Sequence, residues 1–250
     1  MIAVSLILLS PARADVLVLY DDAQNDLPGD QPWLLYADDG FLSGGTASQS
    51  GNASGVRLTT DNAVSAGYSN TVPIINAFKN PAFPTLDRNA GFRLSFELQV
   101  LAESHVSNDR AGFSVVLLAD DSQGIELGFW DDQVWAQNAT PLFTQGESAS
   151  FDTTAGEVRY DLQVQGNQYS LSADGSLLLS SSLRDYTAFG GAPYTLGNYL
   201  FLGDNTSRAS ATVNLGRIEL TTIPEPGSFA LLLAFSLIPV ARTLRRRSLR

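Results

Sequence analysis

The sequence predicts an all-β protein built as an antiparallel two-sheet β-sandwich of the jelly-roll type. From residue 91 onward, apolar and polar side chains alternate with a period of two, as they do in half-buried strands. Asp, Asn and Gly residues interrupt this alternation at regular intervals and predict turns. No amphipathic stretch of ten or more residues predicts a major helix, so the sheets must cover each other.

The composition supports one globular domain of this class. The 250 residues are 44% apolar and 16% charged, which allows a buried core. Cysteine is absent and histidine occurs once, so disulfides, thiolate metal centres and sites with two imidazoles are excluded. The two ends of the chain hold six of the basic residues, Arg13 and the five arginines after residue 241, and one acidic residue, Glu225. The rest of the chain therefore contains 9 basic and 25 acidic residues. Because so acidic a body should repel phosphates, no nucleic-acid partner is expected.

Residues 1–14 are predicted to be a signal peptide. An apolar run over residues 2–9 is followed by Ala12-Arg13-Ala14, which places small residues at the positions that signal peptidase reads. We therefore expect export and a β-sandwich domain over residues 15–221. The alternative is that the apolar run forms a buried first strand.

The clearest strand covers residues 91–103. Its core-facing side chains should be Phe92, Leu94, Phe96, Leu98 and Val100. Residues 111–118 are apolar on both faces, which is typical of a central strand.

Glu126 and Trp130 should share the outward face of the next strand, residues 125–130. The turn Asp131-Asp132 leads into a strand at residues 133–137 and puts Trp135 on that same face. A carboxylate beside two indole rings can bind a sugar ring, so Glu126, Trp130 and Trp135 are the candidate glycan-binding residues. The alternative is that both tryptophans cover the sandwich edge or fill its second face.

The second half of the domain continues as hairpins. Residues 158–165 and 169–173 alternate on either side of the turn Gly166-Asn167. Asp174-Gly175 is a strong hairpin signal and leads into a strand at residues 177–179.

The last strands are predicted at residues 199–202 and 211–220. The apolar parity of the second one shifts at Gly216, where a β-bulge would absorb the change. The first strand, residues 15–20, should pair with this last strand. Residues 40–55 are rich in Gly and Ser and are predicted to form a loop.

Residues 222–250 carry a membrane-targeting pattern. Pro224-Glu225-Pro226 precedes an apolar stretch at 227–241, and a basic tail follows it, formed by Arg242, Arg245, Arg246 and Arg247. As a helix, the stretch would span about 23 Å of a hydrocarbon core about 30 Å thick, and snorkelling arginines would close most of the difference. Arginines on this side predict that the C-terminus lies in the cytoplasm and the body outside.

This order of Pro-Glu-Pro, apolar helix and arginines resembles the PEP-CTERM sorting signal of Gram-negative bacteria that secrete extracellular polysaccharide. The resemblance implies recognition by an exosortase-like sorting protease and cleavage near Pro224-Glu225-Pro226. It also implies a precursor in the inner membrane and delivery to the cell surface or matrix. The alternative is a plain C-terminal membrane anchor.

Residues 110–130, 183–186 and 201–207 resemble the exported bacterial family called the choice-of-anchor Y domain. The resemblance covers most of residues 15–221 and implies a concanavalin A-like sandwich joined to an interchangeable C-terminal anchor. It brings no activity and no catalytic residues.

No catalytic residue is predicted. A serine triad would need His105, and residues 112–116 lack the second glycine of a nucleophile elbow. Glycoside cleavage needs only two carboxylates. Sandwich glucanases resembling concanavalin A usually carry Glu-x-Asp-x-x-Glu, whereas the stretch at residues 126–129 lacks the middle acid.

No cofactor is predicted either, and calcium is the alternative. His105 follows a strand and should bond locally rather than bind a metal. Four residues offer oxygens of the kind that calcium prefers, namely Asp120, Asp121, Asp204 and Asn205. Asp and Asn are also ordinary turn residues.

The sequence therefore predicts an exported surface or matrix protein with a structural or adhesive sandwich near extracellular polysaccharide. The alternative, from another class, is a glycan-active hydrolase.

Overall fold

The computed structural model describes residues 15–72 and 77–222, so the predicted signal peptide and sorting segment lie outside the described residues. The strands are β1 Asp15–Tyr20, β2 Leu35–Asp38, β3 Ala47–Asn52, β4 Gly55–Thr60, β5 Ala66–Ser69, β6 Thr71–Val72, β7 Ala77–Phe78, β8 Phe92–His105, β9 Ser114–Leu118, β10 Gln123–Phe129, β11 Gln133–Ala139, β12 Leu142–Ser150, β13 Val158–Gln165, β14 Gln168–Ala173, β15 Ser176–Ser182, β16 Arg184–Asp185, β17 Tyr199–Asp204 and β18 Ala209–Thr222. The helical turns are α1 Gly40–Ser43 and two 3-10 turns, Asp22–Gln24 and Thr187–Phe189.

These strands form two large antiparallel sheets, which confirms the predicted β-sandwich. The first sheet has the order β15-β14-β13-β8-β18-β4-β3, and β1 also pairs with β18, as predicted. The second sheet has the order β12-β11-β10-β9-β17-β5-β2, and β16 also pairs with β10. Strands β6 and β7 form a separate two-stranded ladder. Within the described ranges, no helix is long and apolar enough to cross a membrane.

The centre of the first sheet is the pairing of β8 with β18, each 14 residues long. Leu215 pairs with Leu98 and Ile218 with Phe96, so β18 carries one extra residue between these pairs. This is the bulge predicted at Gly216. It keeps the apolar residues before it, Val213 and Leu215, and those after it, Ile218 and Leu220, on the core face.

The core lies between the two sheets. The inward set predicted for β8 is buried, and it packs on Ile125, Leu127 and Phe129 of β10 in the second sheet. Phe96 stacks on Tyr160 with ring centroids 5.4 Å apart and meets the Phe129 ring edge-on at 5.9 Å.

The predicted hairpin at Asp174-Gly175 is confirmed. Both residues have positive φ angles, 45° and 79°, as the tight turn between β14 and β15 requires. The prediction that residues 40–55 form a loop is wrong, because they contain α1 and the edge strand β3. The small polar residues of β3 pair through their backbones with β4, so no apolar alternation marks the strand.

The outer face of the second sheet is partly covered by residues 186–198, between β16 and β17. Apolar side chains of this segment pack on the outer face of the sheet in a second, smaller cluster. The cluster consists of Val116, Leu118, Tyr186, Tyr194, Leu196 and Tyr199. The candidate functional site lies where this cover ends.

Replacing Phe96 by Ala should lower the free energy of unfolding by about 3–5 kcal/mol, because the fully buried ring is lost and a cavity remains. The matched control is Gln163→Ala on the exposed face of β13, which should cost less than about 0.5 kcal/mol. Urea melts of both variants measure the difference, and equal losses would contradict the register described above.

Candidate functional site

A pocket of about 210 Å³ opens on the outer face of the second sheet. Its lining residues are Arg110, Glu126, Gln137, Phe143, Phe189, Tyr194, Asn205 and Thr206. We call it the Glu126 pocket. Its polar groups come from β10, β11 and the segments before β9 and after β17, so the sheet brings together residues far apart in the chain.

Glu126 lies on the face of β10 opposite to the core, as predicted, but it is only 3% exposed. Its Oε2 accepts a hydrogen bond of 2.6 Å from the Tyr194 hydroxyl, and its Oε1 accepts one of 2.8 Å from Asn205 Nδ2. Burial raises the pKa of Glu126, and these two donors with Arg110 oppose the rise. The carboxylate is thus held by neutral donors at the base of the pocket.

Tyr186 fixes the sheet beneath the pocket. Its hydroxyl donates to the Gln137 carbonyl oxygen at 2.8 Å and accepts from the Glu126 backbone N–H at 3.2 Å. Three further rings form the wall, with Phe143 4.9 Å and Phe189 5.4 Å from Tyr194 between centroids. Phe143 has a φ of +57°, a backbone region that bulky residues rarely occupy.

Gln137 contributes a buried acceptor that has no partner. The side chain is 4% exposed, and its Nε2 donates to the Asp109 carbonyl oxygen at 3.0 Å. Its Oε1 makes no hydrogen bond within the part of the chain that the structure describes. Arg110 stands beside it and donates through Nη1 to the carbonyl oxygens of Asp109 at 2.6 Å and Phe143 at 3.2 Å.

The pocket therefore combines hydrogen-bond acceptors, a guanidinium and aromatic walls. Phe189 is 50% exposed, so one ring on the rim is open to solvent. Convergent polar groups beside an apolar ring are the features with which proteins hold small polar ligands such as sugars.

The tryptophans predicted as a platform lie together, but they do not form an open surface. Trp130 and Trp135 are on one face, with ring centroids 5.6 Å apart. Trp135 is fully buried above Gly128, where an added Cβ would lie 2.7 Å from the indole ring. Trp130 donates to the Arg110 carbonyl oxygen at 2.7 Å and stacks on His105. The open two-ring platform is therefore wrong, because a buried indole cannot stack on a sugar.

His105 has local partners, as expected, although it ends β8 rather than lying in a loop. Its Nδ1 is 2.9 Å from Glu103 Oε2, and its ring lies 4.0 Å from that of Trp130 between centroids. These contacts support the indole at the edge of the sandwich.

Three of the four calcium candidates are engaged in other contacts, and the fourth, Asp120, is exposed. Asp121 pairs with Arg88 at 2.7 Å, and Asn205 binds Glu126. Asp204 is fully buried and accepts from Thr60 Oγ1 at 2.8 Å and the Thr206 N–H at 3.0 Å. Among residues 15–72 and 77–222, no group of three or more His, Asp and Glu side chains could hold a metal ion.

Comparison with known proteins gives similarities in backbone shape. No family model and no curated protein matches the chain. The Crh5 transglycosylase in complex with NAG is 11% identical, with a TM-score of 0.48 over 86% of each chain. A protein of unknown function with a galectin-like fold from Bacillus subtilis is 9% identical, with a TM-score of 0.48 over 83% of this chain and 97% of that one. A carbohydrate esterase from the Shiga toxin-encoding bacteriophage phi24B is 11% identical, with a TM-score of 0.48 over 76% and 90%.

Asp204 should make stability depend on pH. Burial raises its pKa to about 8, whereas an unfolded chain releases this proton near ~3.9. The folded state thus binds more protons, and its stability should fall as the pH rises from about 4 to about 8. Asp204→Asn imitates the protonated form and should flatten this fall in urea melts across that range. The exposed, non-titrating control Gln163→Ala should keep the wild-type slope, and an Asp204→Asn profile as steep as wild type would contradict the assignment.

Proposed function

We propose that this protein is an exported surface or matrix protein whose β-sandwich binds a glycan in the Glu126 pocket. One observation carries the proposal: the pocket brings the Glu126 carboxylate and the Arg110 guanidinium, from separate segments of the chain, beside the exposed Phe189 ring. Gln137 Oε1 behind this lining is buried and unpaired, which costs about 1–3 kcal/mol, and a ligand would meet it only after the pocket wall moves.

The remaining walls suit a sugar ring. Arg110 uses only Nη1 in hydrogen bonds within the described residues, so its Nε and Nη2 can donate to ring or hydroxyl oxygens. The exposed Phe189 ring can pack on the C–H face of the sugar. Phe143 adds a further feature, because its backbone lies in a rarely populated region of φ and ψ. Residues with such backbone conformations are found preferentially at ligand sites.

The lining favours binding over hydrolysis. Two-carboxylate glycosidases place an acid on each side of the scissile bond. Among the described residues that line the Glu126 pocket, Glu126 is the one carboxylate. A glycan array on the protein, combined with an assay for released reducing sugar, separates the alternatives. Binding without turnover supports the proposal, and turnover supports the hydrolase.

The route to the surface is part of the same proposal. The signal peptide pattern, Pro224-Glu225-Pro226, the apolar stretch at 227–241 and the arginine tail support export followed by sorting through an exosortase-like protease. A surface location would bring the pocket to extracellular polysaccharide, the partner that we propose.

Removing the exposed ring should weaken binding without unfolding the protein. Phe189→Ala should reduce the affinity for the best array ligand about tenfold or less, since aromatic contacts of this kind contribute ~0.5–1.5 kcal/mol. Leu177→Ala is the matched control, because Leu177 is 65% exposed on β15 in the other sheet. Isothermal titration measures both, and an unchanged affinity in Phe189→Ala would remove this ring from the site.

Sorting predicts a shortened mature chain. Mass spectrometry of surface-located protein should find no peptide beyond about residue 226, and Arg250 on that protein would contradict processing. Replacing Pro224, Glu225 and Pro226 with Ala should leave the protein in the inner-membrane fraction. The matched control replaces the exposed residues Ser48, Ser50 and Ser176 with Ala and should reach the surface normally.

A further inference from the structure

A second cavity adjoins the Glu126 pocket on the outer face of the second sheet. It has a volume of about 270 Å³, and we call it the Ala37 cavity. Asn205 lines both cavities. Pro193 lines the Ala37 cavity, and the next residue, Tyr194, lines the Glu126 pocket. One ligand can therefore reach both across Asn205.

The Ala37 cavity differs from its neighbour in chemistry. Its apolar lining consists of Ala37, Ala66, Val116, Pro193, Tyr199 and Phe201. Its lining also includes the carboxylates of Asp38 and Asp39, and each already accepts a backbone hydrogen bond. Asp38 Oδ1 accepts from the Gly40 N–H at 3.2 Å, and Asp39 Oδ1 accepts from the Ser65 N–H at 2.8 Å. The cavity thus offers an apolar surface to a small substituent, with these two carboxylates beside it.

Asn205 at the junction has a fixed orientation. Its Nδ2 donates to Glu126 Oε1 at 2.8 Å and to the Tyr194 hydroxyl oxygen at 3.2 Å. Because Nδ2 faces Glu126, the amide oxygen points away from that carboxyl group. Within the described residues, Asn205 Oδ1 makes no hydrogen bond, and Asn205 is a half-buried residue that lines both cavities, so this oxygen is a candidate acceptor for a ligand.

Resting on the proposed function, we propose that the two cavities together recognise an N-acetylated sugar. Its ring occupies the Glu126 pocket, its acetamido N–H donates to Asn205 Oδ1, and its methyl group lies in the Ala37 cavity. A sugar with a hydroxyl at the same carbon would leave the apolar surface in contact with water. Its affinity should therefore be lower.

The test uses three trisaccharides with the same β-1,4 linkage, built from N-acetylglucosamine, glucose or glucosamine. Titration of the full-length protein should give at least tenfold tighter binding for the N-acetylated trimer than for the other two. Equal binding of all three would overturn this inference and leave the glycan-binding proposal standing. Binding of none would also overturn it, while binding of another glycan on the array would still support the proposed function.

Filling the cavity tests its role directly. Ala37 is exposed on β2, so Ala37→Leu should fold normally, as a thermal melt would show, and should occupy the apolar space. The variant should lose the preference for the N-acetylated trimer while keeping the weaker affinity for the glucose trimer. Ala102→Leu, at an exposed position of β8 in the other sheet, is the matched control and should keep the preference. An unchanged preference in Ala37→Leu would show that the acetyl group does not lie in this cavity.

Discussion

The burial of Glu126 is the constraint on which the outer face of the second sheet depends. A buried carboxylate costs several kcal/mol unless hydrogen bonds replace its hydration. Tyr194 and Asn205 supply those bonds, and they belong to the segments on either side of β17. These hydrogen bonds to Glu126 therefore also fix both segments against the outer face of the sheet. The pocket lies beside the part of that face that the two segments cover.

The same constraint makes the pocket rigid before any ligand arrives. The Tyr186 hydroxyl ties the backbones of β10 and β11 together, and the Phe143 and Tyr194 rings, tilted by 48° to each other, close the wall. Glu126 and Asn205 are likewise fixed by the hydrogen bond between them. Fixed acceptors of this kind bind a ligand with little loss of conformational entropy.

Local patterns were enough to predict much of the fold, but within the pocket they gave only Glu126 as a glycan-binding residue and Asn205 as a calcium candidate. The alternation of β8, the Asp174-Gly175 turn and the bulge at Gly216 depend on neighbouring residues, and the structure confirms them. Strand β3 was missed because neither of its faces is fully buried, so no apolar alternation marks it. The face of Glu126 followed from alternation, whereas Tyr194 and Asn205 are 68 and 79 residues away and no local signal links them to Glu126. Alternation predicts on which face of a strand a side chain lies, but it does not predict what packs on that face. Trp135 therefore lies on the predicted face but is buried.

We propose above all that a sugar binds in the Glu126 pocket, between the Arg110 guanidinium and the exposed Phe189 ring. A crystal structure of the protein with the best glycan from the array tests this most directly. We expect a sugar oxygen within hydrogen-bond distance of Arg110 Nε or Nη2, and the ring against Phe189. A sugar bound elsewhere on the sandwich would contradict the claim.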